Sequence, residues 1–262
     1  RSPADFFTPV PWKLADLKRV LSRWDAALGD AAWASQYLGN HDLPRMVSRF
    51  GEDNLHRVVS AKMLATLLLT LRGTPFVYQG DELGMTNYPF SKPEEFRDLQ
   101  AVRALREGAG LATQSRVSRD HARTPVQWDA SPHAGFTTGT PWIAVHPDYP
   151  RVNAEAALRE PDSVFHHYRK LIALRREHPV LIYGSFQELP APDQEVYRYR
   201  RSLEGVEVTV ELNFSGREVA LAPPAGTLLL GNYPDLTPAL RAYEGRLFLS
   251  ATGGTRSPSP AG

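Results

Sequence analysis

The sequence has no cysteine, no long apolar run and almost no net charge, and each absence removes a class of function. Without cysteine among its 262 residues, the chain has neither a disulfide framework nor a thiol nucleophile. No apolar run approaches the roughly 20 residues that a membrane-spanning helix needs. The chain has 30 basic and 29 acidic residues, a formal net charge of +1, so its charge balance does not favour nucleic acid or an anionic membrane as partner. We therefore expect a cytoplasmic protein with no nucleic acid partner and no membrane partner.

Several common catalytic motifs are also missing. The sequence contains no glycine-rich dinucleotide or phosphate loop and no Gly-x-Ser-x-Gly elbow, which argues against nucleotide binding and serine-hydrolase chemistry. His166 and His167 are adjacent in the sequence. They would lie about 100° apart around a helix and make a poor metal pair. We expect no metal ion and no cofactor to be bound by this chain.

Hydrophobic spacing predicts two helices and two strands in the first third of the chain. Trp12 to Leu28 and Asn54 to Leu71 have apolar residues at helical spacing, whereas the short apolar runs Trp33 to Leu38 and Phe76 to Tyr78 predict strands. Strand, helix and strand in this order form a βαβ unit with parallel strands. Parallel strands are buried on both faces and need neighbours on each side. Because the sequence supplies only two, we expect residues 1–180 to be incomplete and to need strands from a preceding segment or another polypeptide.

A long loop region and a final helix follow. Gly84 to Trp142 is rich in Pro, Gly and Thr, with one predicted helix at Pro93 to Glu107. A loop of this length in a compact protein is usually functional. Ser163 to Glu177 has apolar residues on one face and a proline just past its end, which predicts a helix.

The last third of the chain predicts β-structure. Val208, Val210 and Leu212 alternate with polar residues, as in a sheet with one buried and one solvent face. Several such runs, broken by Gly, Pro and Asp, predict an antiparallel β-sandwich over residues 181–252. The Gly-, Ser- and Pro-rich residues 253–262 predict a disordered tail. The predicted strands are Gly184–Leu189, Glu195–Arg201, Val206–Asn213, Val219–Leu221, Thr227–Leu230 and Arg246–Leu249.

Three polar residues, Asn40, His41 and Asp42, end the first predicted strand. Pro44 disfavours helical geometry at the residue before it, so the chain turns here in an extended conformation. Barrels and open α/β sheets keep their chemistry at such strand ends. Taken alone, the triplet is more often a turn than a catalytic site.

Four motifs in a fixed order carry a family resemblance. From about Leu14 to about Leu230 the sequence resembles the oligo-1,6-glucosidase and α-glucosidase branch of the α-amylase family, glycoside hydrolase family 13. The motifs are Asn40-His41-Asp42-Leu43-Pro44-Arg45, Gly73-Thr74-Pro75-Phe76-Val77-Tyr78-Gln79-Gly80-Asp81-Glu82-Leu83-Gly84-Met85, Arg119-Asp120-His121-Ala122-Arg123-Thr124-Pro125-Val126-Gln127-Trp128, and Gly135-Phe136-Thr137 leading to Pro141-Trp142-Ile143.

The resemblance implies an α/β fold of known type. Residues 1–180 would be the last part of a (β/α)8 TIM barrel, containing strands 7 and 8 with their helices, and residues 181–252 an antiparallel β-sandwich domain. An N-terminal portion of the same enzyme would supply about six earlier strands. That portion would carry the nucleophile, the acid/base and any structural calcium site, so this chain alone lacks both catalytic carboxyl groups. The chain starts with Arg1 and has no initiator methionine or signal-peptide pattern, which fits a sequence that begins within a protein.

The resemblance also implies roles for Asp42, His41 and Arg119, and two further arginines are candidates for substrate binding. Asp42 matches the family carboxylate that grips the 2- and 3-hydroxyls of the sugar whose bond is cut, as a transition-state stabiliser. His41 would donate to the same hydroxyls, and Arg119 matches the arginine near the 4-hydroxyl of the terminal sugar. Arg123 is a further substrate-binding candidate with a structural alternative. Arg45 would reach the acceptor side of the cleft or pair with an acid in its wall.

Other positions near these motifs are less informative. Leu43 stands where this branch usually has glutamine, which leaves the acceptor preference open. Asp81 matches a structural position of the family. Trp128, Phe136 and Trp142 could stack on sugars, although core packing is the more common role of such aromatic residues.

The function implied by the resemblance is that of a retaining, exo-acting α-glucosidase. It would release or transfer terminal glucose from short α-glucosides such as isomaltose, maltose or sucrose-type sugars. A sucrose-isomerising or trehalose-type glucosyl mutase would use the same scaffold. A catalytically silent amylase-like interaction subunit and a carbohydrate-binding module made of the β-region alone are alternatives from other classes. The residues beside the nucleophile, which would set the linkage preference, lie outside this sequence.

Overall fold

A parallel pair of very short strands forms the part of the fold that positions the polar turn. The computed structural model describes residues 11–251, so the tail predicted at residues 253–262 lies outside the described residues. Strand β1 (Ser35–Gln36) pairs in parallel with β2 (Thr74–Pro75), which confirms the predicted parallel unit. The second strand was expected at Phe76 to Tyr78 and begins two residues earlier. The last hydrogen bond between the two segments is donated by the Phe76 amide to the Gln36 carbonyl, over 2.8 Å.

The longer of the two helices between these strands is the centre of the core. Helix α3 spans Arg57–Thr70, and its residues from Ser60 to Thr70 are all buried. A helix buried on all sides needs neighbours all round, and α3 packs against α8 (Val164–Glu177) and the strands of the C-terminal sheet. The apolar spacing in the sequence predicts a helix with one buried face, whereas this helix is buried on all sides from Ser60 to Thr70.

The other helices lie around this core, and most of them are short. They are α1 (Leu14–Leu28), α2 (Met46–Phe50), α4 (Leu99–Arg106), α5 (Leu111–Val117), α6 (Asp120–Arg123), α7 (Ala154–Arg159) and α9 (Val180–Tyr183), with 3-10 turns at Asp81–Leu83, Pro93–Glu95 and Pro132–Gly135. None of the helices within residues 11–251 has the length and apolar character to cross a bilayer.

The helix predicted at Pro93 to Glu107 is divided into two pieces. Phe96 has an extended backbone, φ −75° and ψ 142°. The carboxylate of Asp98 then accepts a hydrogen bond from the Gln100 amide over 3.1 Å and caps the start of α4. An N-cap residue has non-helical geometry, so the helix begins after this aspartate.

The C-terminal region contains a five-stranded antiparallel sheet, as the alternation predicted. Its strands, in spatial order, are β3 (Ser185–Leu189), β4 (Val196–Leu203), β5 (Val206–Asn213), β9 (Gly245–Ala251) and β7 (Thr227–Gly231). A separate two-stranded ribbon pairs β6 (Val219–Ala220) with β8 (Ala239–Leu240). The strand at β8 was not predicted. Val219 and Leu240 of the ribbon pack on Val196 at the start of β4.

One face of this sheet was expected to be exposed and is instead covered. The side chain of Glu211 on β5 is fully buried, lying 3.0 Å from Arg198 Nε and 3.5 Å from Arg246 Nε. The Arg246 guanidinium also donates to the carbonyls of Thr237 and Leu221. Because the chain around the ribbon lies over this face, the prediction of a solvent face was wrong here.

The sheet and the helices share one hydrophobic core. Met63 and Leu67 of α3 belong to the same buried cluster as Val210 and Leu247 of the sheet. Arg201 of β4 is buried and donates to the Thr70 carbonyl at the end of α3 over 2.7 Å.

One apolar surface of the described chain remains open. Helix α1, β1 and the end of α3 line a groove, called here the α1–β1 groove, in which Trp24 and Trp33 are 53% and 45% exposed. Its principal lining residues are Leu17, Val20, Leu21, Trp24, Trp33, Tyr37, Leu38, Leu68 and Leu71. Large apolar patches of this kind usually mark a contact surface.

Candidate active site

A tight turn after β1 holds the polar triplet. The side-chain oxygen of Asn40 accepts a hydrogen bond from the Asp42 amide over 2.8 Å, an arrangement in which asparagine stabilises its own turn. The amide of Arg45 donates to Asn87 Oδ1 over 2.9 Å and ties the end of the turn to the following loop. The turn therefore directs His41 and Asp42 outward, with Asn40 as its support.

The Asp42 carboxylate lies between two arginines. Its Oδ1 atom accepts hydrogen bonds from Arg123 Nη2 over 2.9 Å and from Arg119 Nη1 over 3.2 Å. The other oxygen, Oδ2, is 3.3 Å from Nε2 of His41. Asp42 is 49% exposed. The structure thus brings together four of the five residues singled out from the sequence, around one carboxylate with an accessible oxygen.

Each arginine is held by a second contact. Arg123 Nε donates to the backbone carbonyl of His41 over 2.9 Å. Arg119 grips the buried carboxylate of Asp98 through Nε at 2.9 Å and Nη2 at 2.6 Å. The hydrogen bonds that Arg119 donates to Asp98 raise the pKa of Arg119 above its usual value. The Arg119 guanidinium therefore stays charged beside Asp42.

Asp98 was missed by the sequence reasoning. Its carboxylate is buried, and although burial opposes ionisation, the hydrogen bonds from Arg119 and Gln100 hold its pKa below the usual value. The available signal was an aspartate before the helical residues of α4, which is a common N-cap pattern. Its pairing with Arg119, 21 positions away, has no local signature.

Arg45 does not occupy the position expected of a substrate contact. Its side chain is 1% exposed. Nε donates to the His121 carbonyl over 3.0 Å and Nη1 to the Gln79 carbonyl over 2.6 Å. Burial lowers the pKa of this guanidinium, and nearby Asp81 acts in the opposite direction. The buried guanidinium has no exposed face to offer to an acceptor sugar, and its partners in the wall are mainly backbone carbonyls.

A second buried carboxyl group, Asp81, lies directly behind the turn. A Cβ atom added at Gly39 would lie 3.3 Å from Asp81 Oδ1, so the glycine allows a close approach of the two segments. Asp81 Oδ2 accepts from the Tyr78 amide over 3.2 Å. Burial raises the pKa of Asp81 to about 7, while Arg45 acts to lower it. Asp81 therefore lies buried beside Gly39, just before the turn, and does not reach the exposed side of the turn.

The aromatic residues of the long loop are on the surface. Trp128, Phe136 and Trp142 are all exposed, so core packing does not describe them and their faces are available for stacking. Among residues 11–251, no group of three or more His, Asp or Glu side chains is arranged to hold a metal ion.

Comparison with known sequences connects this geometry to a family. The family model described as "Alpha amylase, catalytic domain" matches residues 4–184. The chain belongs to the α-amylase family. This membership agrees with the resemblance drawn from the four motifs.

Named relatives agree with this assignment. An oligo-1,6-glucosidase of Halalkalibacterium halodurans is 45% identical over 91% of this chain and 46% of its own length. A trehalose-6-phosphate hydrolase of Bacillus licheniformis has a solved structure with a TM-score of 0.89 and 37% identity, covering 94% of this chain and 48% of that one. The trehalulose synthase MutB of Pseudomonas mesoacidophila has a TM-score of 0.87 and 38% identity, over 94% and 48% of the two chains. The chain spans about half the length of the relatives it matches.

Proposed function

We propose that the intact protein containing this chain is a retaining, exo-acting α-glucosidase that hydrolyses, and in part transfers, terminal glucose of short α-glucosides such as isomaltose, maltose or sucrose-type sugars. The observation that carries the proposal is the half-exposed Asp42 carboxylate, held by two arginines beside His41 at the end of β1. Relatives named as oligo-1,6-glucosidases at up to 45% identity support this substrate class.

In this proposal Asp42 is the transition-state stabiliser. An ionised carboxylate forms strong hydrogen bonds to sugar hydroxyls. Bonds to the 2-hydroxyl tighten as the ring approaches the oxocarbenium-like transition state and contribute several kcal/mol. Interactions that strengthen only in the transition state raise kcat. Oδ1 is engaged by the arginines, so Oδ2, with the imidazole of His41 3.3 Å away, is the oxygen presented to the sugar.

Arg119 and Arg123 would shape the pocket around the same sugar. Arg119 retains 25% exposure of its side chain beside Asp42, enough to reach the 4-hydroxyl of a terminal glucose. A guanidinium at that position, together with an acid from the N-terminal portion, would close the pocket behind one sugar unit. Closure of this kind limits the enzyme to chain ends.

The proposed fold of the whole enzyme completes the barrel. We infer that residues 1–180 form the last part of a (β/α)8 barrel with strands 7 and 8, and that residues 181–252 form a β-sandwich domain. An N-terminal portion of the same enzyme would supply the other strands, the nucleophile, the acid/base and any structural calcium. The pairing of β1 with β2 and the open α1–β1 groove support this arrangement. A cytoplasmic location stays a prediction.

Isomerisation is the second candidate, because one of the similar structures is a trehalulose synthase. Hydrolysis and isomerisation differ in what attacks the glucosyl intermediate, water or the departing sugar. Chromatography of the products from sucrose and isomaltose separates them, since only hydrolysis yields free glucose from both in stoichiometric amounts.

The substitution Asp42→Asn in the intact protein tests the proposal. We expect turnover of p-nitrophenyl α-glucoside to fall at least about 100-fold, because the amide loses the charge that the transition state uses. Asp235→Asn is the matched control, since Asp235 also pairs with an arginine, Arg241, over 2.9 Å but lies in the C-terminal region. Both variants should keep the wild-type circular dichroism spectrum.

Two results would count against the proposal. One is wild-type turnover by the folded Asp42→Asn variant. The other is an N-terminal portion in which a non-acidic residue replaces either catalytic carboxyl group, which would leave the catalytically silent subunit as the better description.

A further inference from the structure

We propose that Asp98 is a positioning residue. It sets the orientation of Arg119 and thereby keeps one carboxylate oxygen of Asp42 free for the sugar during turnover. The proposal rests on the function proposed above. It assigns a role to a buried carboxylate that does not itself touch the sugar.

The geometry of Arg119 divides its hydrogen-bond donors between two acids. Nε and Nη2 form the bidentate pair with Asp98, at 2.9 and 2.6 Å. Only Nη1 points to Asp42, at the longer distance of 3.2 Å. A bidentate pair fixes the plane of a guanidinium. Asp98 therefore determines that Arg119 offers a single N–H group to Asp42.

Asp98 is well placed to impose this orientation because its own position is fixed. Its side chain is 2% exposed, and its carboxylate caps α4 by accepting from Gln100. Its backbone amide donates to Oδ2 of Asp120 over 2.9 Å, and the neighbouring Arg97 amide donates to the same oxygen over 2.8 Å. The carboxylate thus sits on a rigid support, fixed by both backbone and side chain.

Charge gives the second part of the argument. Two cations, Arg119 and Arg123, contact one oxygen of one anion, Asp42. Asp98 supplies the second negative charge and takes the closer, bidentate contact of Arg119. Without it, the whole guanidinium fork of Arg119 becomes free to turn onto Asp42. Both oxygens of Asp42 would then be occupied by arginine, in competition with the sugar hydroxyls.

The test measures kcat and KM separately in the intact protein. Asp98→Asn and Asp98→Ser both retain an N-cap for α4, since Asn, Ser and Asp are similarly good caps, but neither keeps the charged bidentate pair. We expect each to lower kcat for p-nitrophenyl α-glucoside about 10- to 100-fold, measured well below the thermal midpoint of each variant so that all the protein is folded. Asn153→Ala is the control for a lost cap, because Asn153 caps α7 by accepting from the Ala156 amide over 2.8 Å and should leave kcat unchanged.

A double-mutant cycle separates positioning from a general structural role. If Asp98 acts through Arg119, then Asp98→Asn in an Arg119→Ala background causes no further loss of kcat. Three results would overturn the proposal. They are an unchanged kcat in Asp98→Asn, losses of kcat that add in the double variant, and a loss of kcat fully accounted for by a lower fraction of folded protein. If Asp42→Asn abolishes turnover while Asp98→Asn does not alter it, the positioning role fails and the proposed function stands. If Asp42→Asn retains turnover, the proposed function itself fails.

Discussion

At the scale of single residues, the turn that carries Asp42 is built over two buried charged groups. Arg45 and Asp81 are 1% and 2% exposed, and the arginine satisfies its donors mainly with backbone carbonyls. Burying a charge is costly unless hydrogen bonds and an opposite charge compensate it. Here burial outweighs the attraction to Arg45 and raises the pKa of Asp81 to about 7.

This raised pKa makes the stability of the protein depend on pH. Between the ordinary aspartate pKa near 4 and about 7, the unfolded chain loses the Asp81 proton while the folded chain keeps it. The free energy of unfolding contributed by this group therefore falls as the pH rises through that interval.

We predict that Asp81→Asn removes this dependence. The amide has no charge to bury, so the stability of the variant should not fall between pH 4 and pH 8 through this group. The difference in the free energy of unfolding between variant and wild type should therefore be larger at pH 8 than at pH 4, by about a few kcal/mol. Urea unfolding midpoints at both pH values measure the difference. Buried groups such as His121 and His167 are present in both proteins, so the comparison isolates Asp81. Parallel pH profiles for the two proteins would contradict the prediction.

At the scale of elements, the central helix α3 contains a charged residue, Lys62, within its buried part, Ser60 to Thr70. Lys62 is 1% exposed, and its Nζ reaches the carboxylate of Asp162, just before α8, over 2.8 Å. His167 of α8 is buried near Lys62, and burial together with this cation lowers the histidine pKa to about 3. The neutral imidazole accepts or donates a hydrogen bond at Thr66 Oγ1 over 2.9 Å. The contact between α3 and α8 is therefore polar at this point.

We predict that Asp162→Asn destabilises the protein by about 1–3 kcal/mol, because it leaves the buried ammonium group of Lys62 without its anion. The value stays in this low range because the Asp162 side chain is 78% exposed and solvent screens the pair. Lys62→Met in the same background should recover the loss, since an apolar side chain of similar length needs no partner. Urea denaturation of the single and double variants measures both effects. A double variant less stable than the single one would exclude this explanation.

At the scale of the whole molecule, the α1–β1 groove leaves large apolar side chains exposed. Trp24 and Tyr37 are 53% and 51% exposed there, beside the edge of a parallel sheet that consists of two strands within the described residues. Parallel sheets are normally covered on both faces. Under the arrangement proposed above, this groove is the surface on which the proposed N-terminal portion would pack.

We predict that Trp24→Glu destabilises the intact protein by about 2–3 kcal/mol, the contribution of a buried aromatic side chain. The thermal midpoint and the rate of limited proteolysis in α1 report the effect. Leu236→Glu is the control, because Leu236 is also exposed, at 44%, but lies outside the groove. Equal stability of the two variants would show that Trp24 stays exposed in the intact protein.

The local pattern of the sequence determined most of the elements. Helices α1, α3 and α8, the parallel order of β1 and β2, and the main strands of the antiparallel sheet follow from hydrophobic spacing and from glycine and proline positions. The α-amylase family follows from motifs that are continuous in the chain. These features depend on neighbours a few positions apart, which is the information that periodicity contains.

Only the tertiary structure decided the contacts between distant residues. Asp42 meets Arg119 across 77 positions, Asp98 provides the second partner of Arg119, and Arg45 turns inward although its motif places it beside the site. The burial of Glu211 also depends on distant residues, since the segments that cover this face of the sheet, around Leu221 and Thr237, come from elsewhere in the chain. Whether a charged side chain points to solvent, to substrate or into the core depends on what packs against it, and a one-dimensional pattern of polar and apolar residues does not contain that information.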